Sequence, residues 1–157
     1  MFCWIKSSLS DQEFNLVAIL QFNAEIVMGD AIYDLDMDIY APCALGATLN
    51  PKTIARLKCA IVSGSANNQL ADENRDGQLL LEKGIVYAPD FLINAGGLIN
   101  VYSEIKGHES QHALNQTKKI YNTTLEILQK AEQDDIPTHA AALQIAEKRI
   151  ADKKNNI

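Results

Sequence analysis

AIVSGSANNQL, residues 60–70, decides the reading of this chain. With Lys58 and Cys59 in front of it, KCAIVS has the short apolar pattern of a buried β-strand, and it runs directly into a small, polar, glycine-containing loop. Two further stretches repeat the arrangement: APCALG at Ala41–Gly46 follows the strand-like Asp36–Tyr40, and PDFLINAGG at Pro89–Gly97 lies around the strand-like runs Ile85–Tyr87 and Phe91–Ile93. In open α/β sheets ligands lie in the crevice at the carboxyl ends of the strands. Ala41–Ala44, Ser65–Asn68 and Asn94–Gly97 are therefore expected along one edge, within about two strand spacings of roughly 4.8 Å each.

The rest of the chain fits around these loops. Ser10 and Glu13 form a capping-box pair before an apolar face, which predicts a helix over 11–20. Ala24–Val27 reads as a strand. Asn50 before Pro51 caps a short helix through Leu57, and Asp72–Lys83 is a helix stopped by Gly84. Beyond Gly97 the period turns helical, with one long helix near 109–133, a break at Ile136–Pro137, and a last helix for which Thr138 stands as a cap. Strands separated by short helices pair in parallel through crossovers. The expected fold class is α/β: the second half of a Rossmann-like doubly wound parallel sheet followed by a C-terminal helical segment. Some 22 residues precede Asn23, against the roughly 30 that a first βαβ unit needs.

Composition narrows the function classes. The 157 residues are 47% hydrophobic, enough for one domain with a core. A net charge of -6 without a basic patch argues against a nucleic-acid partner; Lys118–Lys119 and Lys153–Lys154 read as solvated helix faces. Cys3, Cys43 and Cys59, with no CxxC, read as buried thiols of a reducing compartment. The longest apolar run, Leu16–Leu20, is far short of the roughly 20 residues of a membrane span, so no membrane partner is expected and a cytoplasmic location is. No GxGxxG fingerprint occurs in the chain.

Asn67 and Asn68 follow a strand and a glycine, and their amides offer donors and acceptors suited to a carboxamide or to ribose hydroxyls; they equally suit a turn leading to a helix. Asn94 before Ala95-Gly96-Gly97 offers the same amide beside a backbone that a flat ligand can approach, or simply a turn. Cys43 at a strand end is either ligand-facing or a small core residue. His108-Glu109-Ser110-Gln111-His112 satisfies HExxH, the zinc-peptidase pattern. Gly107 and polar flanks place it at an exposed helix start, however, and Glu132, on the same expected helix, would lie roughly 30 Å away. No metal is expected there. His139 reads as an isolated surface residue in the first turn of the last helix.

DIYAPCALGATLN (38–50), AIVSGSANNQL (60–70), EKGIVYAPDFLINAGGLINV (82–101) and IPTHAAALQIAEKRI (136–150) are similar, in the same order, to stretches of the NAD-dependent amino-acid dehydrogenases of the glutamate, leucine, phenylalanine and valine group, the leucine-specific members above all. The resemblance runs from Asn23 to Arg149. It implies a partial NAD-binding domain with C-terminal helices over 23–157, preceded by an unaligned segment over 1–22. It also implies an activity in which a two-domain subunit oxidatively deaminates a branched-chain L-amino acid to its 2-oxo acid and ammonia, passing hydride to NAD. Cys43, Ala44, Ser65, Ala66, Asn67 and Asn68 then lie along the cofactor, with Asn94 beside them. Asn67 or Asn68 reaches the substrate, and Leu98 and Val101 line its aliphatic pocket, Leu98 standing where valine is common. The family's catalytic lysines and its proton-shuttling aspartate belong to an N-terminal domain with no counterpart here, so this chain carries no catalytic residue. Its glycine-rich loop and ribose-binding acid are absent too. The chain reads as a C-terminal fragment, from a truncated or frameshifted gene or an alternative start, of an enzyme that is a homo-oligomer in the family. A noncatalytic nucleotide-binding or assembly module derived from it is the alternative, and a zinc peptidase the remote one.

Overall fold

The computed structural model describes residues 3–5 and 25–155, and the helix expected over 11–20 lies outside them. Two parallel sheets organise the chain. Strands β1 (Cys3–Ile5) and β2 (Glu25–Val27) pair with each other, and β3 (Ile39–Tyr40), β4 (Ile61–Val62) and β5 (Val86–Tyr87) pair in chain order. Alternation along a strand sends successive side chains to opposite faces. Tyr40, Val62 and Tyr87 are thus buried in one row, while their register neighbours Ile39, Ile61 and Val86 form an exposed row on the other face.

Helices α1 (Pro51–Arg56) and α2 (Glu73–Glu82) cover the buried row, with Ile54, Leu57 and Leu80 in the same core as Tyr40, Val62 and Tyr87. The sequence signals at their ends act as expected. The Asn50 side chain accepts from the Lys52 and Thr53 amides, Pro51 is the first helical residue, and Asp72 accepts from the Arg75 amide. Gly84 follows α2 with φ +70°, a conformation open to glycine. An unanticipated 3-10 helix at Gly29–Asp34 inserts Ile32 and Tyr33 into the core, and its Asp34 carboxylate accepts two hydrogen bonds from Arg56, which holds that carboxyl below its usual range.

Three expectations are corrected. Phe91–Ile93 is not a strand but part of the one-turn helix α3 (Asp90–Ile93): Pro89 sets φ -54° and its carbonyl accepts from the Leu92 and Ile93 amides. The single helix near 109–133 is two, α5 (Ser110–Thr117) and α6 (Lys119–Asp134), after α4 (Gly96–Ile105). Thr138, the first residue of α7 (Thr138–Asn155), does not cap its helix; its hydroxyl donates to the Tyr87 carbonyl at 2.6 Å and so ties α7 to the sheet. The break before α7 holds: Asp135 is left-handed at φ 52° and Pro137 follows. There α6 and α7 fold back on a second small core of Ile127, Ala131, Ala141, Ala142 and Ile145. Among the described residues no helix is long and apolar enough to cross a membrane.

Two outcomes follow from this packing. A Cβ on Gly64 would meet the Pro42 carbonyl oxygen at 2.1 Å and its nitrogen at 2.5 Å, both backbone atoms. Gly64→Ala is therefore expected to cost about 3 kcal/mol or more in urea unfolding, whereas Gly97→Ala, which meets open space, changes stability by less than about 1 kcal/mol. Burial holds the Tyr40 and Tyr87 phenols well above their ordinary pKa, so the folded chain keeps them neutral where the unfolded chain ionises them. Their contribution is complete below about pH 10 and declines as pH rises beyond it. Unfolding free energies measured at increasing pH should fall above that point, and less steeply in Tyr40→Phe; equal slopes would count against the assignment.

Candidate functional site

The site is assembled where the chain leaves β3 and β4. The Pro42 carbonyl accepts the Ala66 amide at 3.0 Å, and Gly64 gives the room this approach requires. Two more backbone bonds, Ala47 N–H to the Asn68 carbonyl at 2.7 Å and Leu49 N–H to the Gln69 carbonyl at 2.9 Å, zip the loops together. Asn68 sits at φ 53°, a left-handed conformation that asparagine tolerates better than most residues. Its turn role is therefore real, and its side chain is exposed all the same.

The third loop is locked on by a buried glutamine and a buried aspartate. Gln69 is fully buried, its Nε2 donating to the carbonyls of Gly64 at 2.7 Å and Ala66 at 2.9 Å. Its backbone N–H donates to Asp90 Oδ2 at 3.0 Å, and Asp90 Oδ1 accepts the Phe91 amide at 2.9 Å. Asp90 thus spends both oxygens on backbone donors, a charge-assisted pairing that holds the start of α3 against the loop after β4. Over this scaffold Asn94 Nδ2 donates to Asn67 Oδ1 at 2.5 Å.

A cleft of about 630 Å³ opens here, with Asn67, Asn68, Phe91, Asn94, Leu98 and His139 among its lining residues. No lysine or arginine lines it; its charged groups are Glu73 and Asp90. Such a wall suits a neutral, hydrogen-bonding ligand surface with one apolar side and does not suit a diphosphate. Lys83 is engaged elsewhere, its Nζ donating to the Ile54 and Ala55 carbonyls.

The structure therefore brings four of the expected residues, Asn67, Asn68, Asn94 and Leu98, around one cleft. Cys43, Ala44 and Ser65 lie on the adjoining loops and are exposed, and Ala66 is buried as part of the clasp on Pro42. Cys43 is no core residue as read from composition: it follows Pro42 outside the sheet, and its sulfur accepts the Ser65 amide at 3.5 Å. Cys59 is buried as expected. Val101 is exposed one turn beyond Leu98 on α4 and is not part of the cleft wall.

His139 is the largest correction. It is 6% exposed, its Nε2 lies 3.1 Å from Glu73 Oε2, and its ring packs edge-on against Phe91 at 5.4 Å. It became a wall of the cleft because the Thr138 hydroxyl anchors α7 to β5, a contact that joins residues 51 apart in the chain. Nothing local in the sequence announces that. Asp90 carried a signal, as an acidic residue right after Pro89 at a helix start, and Gln69 carried none. His108 and Glu109 precede α5 and are exposed, and the His108 and His112 rings stack at 4.3 Å rather than standing one helical turn apart on a face. Because α5 and α6 are separate helices, the 30 Å separation of Glu132 along one helix does not apply.

Comparison with known proteins agrees with this architecture. The sequence profile described as Glutamate/Leucine/Phenylalanine/Valine dehydrogenase matches residues 7–156, starting upstream of Asn23. Leucine dehydrogenase of Thermoactinomyces intermedius is 53% identical over 133 residues, which are 85% of this chain and 36% of that protein. L-tryptophan dehydrogenase of Nostoc punctiforme is 47% identical over 135 residues, 86% of this chain and 38% of the relative. The crystal structure of L-tryptophan dehydrogenase from Nostoc punctiforme superposes with a TM-score of 0.88 at 44% identity, covering 96% of this chain and 45% of that one. A hetero-hexameric glutamate dehydrogenase from Thermus thermophilus, at 18% identity and a TM-score of 0.65 over 88% of this chain and 35% of its own, shares the fold. The chain spans little more than a third of the length of the curated relatives it matches.

The clasp around the cleft is open to test. Asp90→Ala leaves the buried Gln69 N–H without its partner. A loss of about 1–3 kcal/mol in urea unfolding is expected. Asn94→Ala, whose lost partner is an exposed amide, should cost under about 0.5 kcal/mol. Equal costs would mean that Asp90 does not hold the loops.

Proposed function

We infer that this chain, which belongs to the glutamate/leucine/phenylalanine/valine dehydrogenase family, carries the nicotinamide side of an NAD-dependent oxidative deamination of an L-amino acid, a branched-chain one such as leucine by its motif likeness to leucine dehydrogenases. The observation that supports the reading is the cleft, at the carboxyl ends of parallel strands, into which Asn67, Asn68, Asn94 and Leu98 converge.

The donor set fits that end of the cofactor. Neutral amides pair with a carboxamide and with ribose hydroxyls without introducing charge, and the Asn94–Asn67 hydrogen bond pre-orients one of them. Cys43, Ala44, Ser65 and Ala66 would extend the contact along the exposed loops. NAD supplies the hydride acceptor when bound. The protein's part is orientation: Asn67 or Asn68 holds the polar end of the amino acid, and Leu98 offers apolar surface to its side chain.

Proton transfer is a different matter. No lysine lines the cleft, Asp90 is committed to two backbone amides, and the other titratable lining groups, Glu73 and His139, pair with each other. General acid–base chemistry needs a titratable group within hydrogen-bond reach of the substrate. The 157 residues alone are therefore inferred to be catalytically incomplete and to bind NAD weakly, the complete enzyme being an oligomer like others of its family.

Saturation-transfer NMR with NADH and the purified chain tests this. Transfer to the nicotinamide protons should exceed transfer to the adenine protons, and Asn67→Ala should abolish the difference. An assay with NAD and L-leucine should show no turnover. Turnover by the chain alone, or transfer dominated by the adenine, would overturn the reading.

A further inference from the structure

The cleft has two kinds of polar wall. On one side stand the amides of Asn67, Asn68 and Asn94, each with N–H groups to donate and an oxygen to accept. The other polar side chains of the lining are Gln69, Glu73, Asp90 and His139. What these four have left for a ligand is acceptors alone.

Gln69 is fully buried; its Nε2 donates to the Gly64 and Ala66 carbonyls, its backbone N–H goes to Asp90, and its own carbonyl accepts the Leu49 amide. Two carbonyl partners fix which end of the side-chain amide carries the nitrogen. Oε1 is the polar atom that remains, and it is buried with no hydrogen-bond partner. His139 repeats the pattern: its side chain is 7% exposed, and its Nε2 lies 3.1 Å from Glu73 Oε2. An ionised carboxylate only accepts, so the ring proton belongs on Nε2 and Nδ1 of the neutral ring is left as a lone pair. Nδ1 too is buried without a partner. Orphaned buried acceptors are uncommon in folded proteins, because each one has given up water for nothing. Two of them on wall residues of one cleft mark a place for a donor.

Charge decides which donor. Glu73, with a side chain 65% exposed, brings its carboxylate to the same wall from the solvent side. No lysine or arginine lines the cleft, and Arg75, two residues on from Glu73, is paired with Asp76. A carboxylate or phosphate placed here would meet repulsion from Glu73 with no cation to offset it. A hydroxyl supplies a single donor, and a guanidinium is too broad to serve atoms that are shielded from water. A primary ammonium puts three N–H donors and a positive charge into one compact group.

We propose that Glu73, Gln69 Oε1 and His139 Nδ1 form a subsite for a primary ammonium, either the α-amino group of an amino acid or a free ammonium ion. An amino acid carries its ammonium and carboxylate on the same carbon. With the ammonium at this wall, the carboxylate turns toward the amides of Asn67 and Asn68, and the pair of walls fixes which way round the molecule lies. The subsite stands on the chemistry of the wall; its link to oxidative deamination rests on the function inferred above.

The test follows the Gln69 side-chain amide and the His139 ring nitrogens by NMR in the nitrogen-15-labelled 157-residue chain. Ammonium chloride and L-leucine are titrated separately, with tetramethylammonium chloride and the 2-oxo acid of leucine as controls that lack N–H donors. Saturable shifts of both signals are expected with a donor and not with either control. A response to L-leucine that is tighter than that to ammonium chloride, or that occurs without one, assigns the subsite to the amino group of the substrate; a response to ammonium chloride alone assigns it to the released ion. Glu73 is mostly exposed, so Glu73→Gln keeps the fold while removing the charge, and it should weaken binding about tenfold. His139→Phe, which keeps a ring against Phe91 and removes both nitrogens, should weaken it as well. No response to either donor, an equal response to a control, or unchanged affinity in both variants would overturn the proposal. Because these titrations contain no NAD, an ammonium response in a chain without preferential nicotinamide transfer supports the subsite and counts against the inferred function. Nicotinamide transfer without an ammonium or leucine response overturns the subsite alone.

Discussion

The approach of the Gly64 backbone to the Pro42 carbonyl is the constraint on which the site depends. With a Cβ there the two loops could not lie in contact. With hydrogen alone, the Ala66 amide reaches that carbonyl, Asn68 and Gln69 pair with Ala47 and Leu49, and the buried Gln69 side chain can bond the carbonyls on either side of Ser65. Each further contact uses the alignment that the first one sets. A cleft built on backbone bonds between strand ends is more rigid than its loop residues suggest, because loop motion there would break several of these bonds together.

Charge is handled within the same frame. Asp90 is buried, and an isolated carboxylate in that position would be costly. Two backbone donors compensate it, and the cost of burial becomes a fixed geometry between α3 and the loop after β4. The amides of Asn67 and Asn94 complete one another in the same way on the open side. What faces the cleft is thus polar, oriented and free of cations, which separates orientation of a ligand from the proton chemistry that a dehydrogenase also requires.

The sheet itself is finished on one side only. Thr138 and α7 close the β5 edge, while nothing among the described residues closes the edge at Ile39 or the face of Ile39, Ile61 and Val86. Apolar rows of this kind in α/β proteins are covered on both faces, since parallel strands are joined by helices.

Local chemistry was legible wherever a residue acts on its near neighbours. Asn50 with Pro51, Asp72, Gly84 and the Ile136–Pro137 break all mark helix ends that the structure keeps, because capping and φ restriction operate within four residues. The three strand-end loops were legible too, since an apolar run ending in small polar residues has few other uses in a parallel sheet. Phe91–Ile93 was misread because three apolar residues fit strand and helix alike, and Pro89 decided for the helix. Cys43 was misread because composition ranks thiols as buried and says nothing of the turn that follows β3. The burial of His139, its pairing with Glu73 and the uncovered edge at Ile39 belong to tertiary structure alone. They arise from contacts between residues far apart in the chain, and the spacing of a sequence carries period and caps but not which distant surfaces meet.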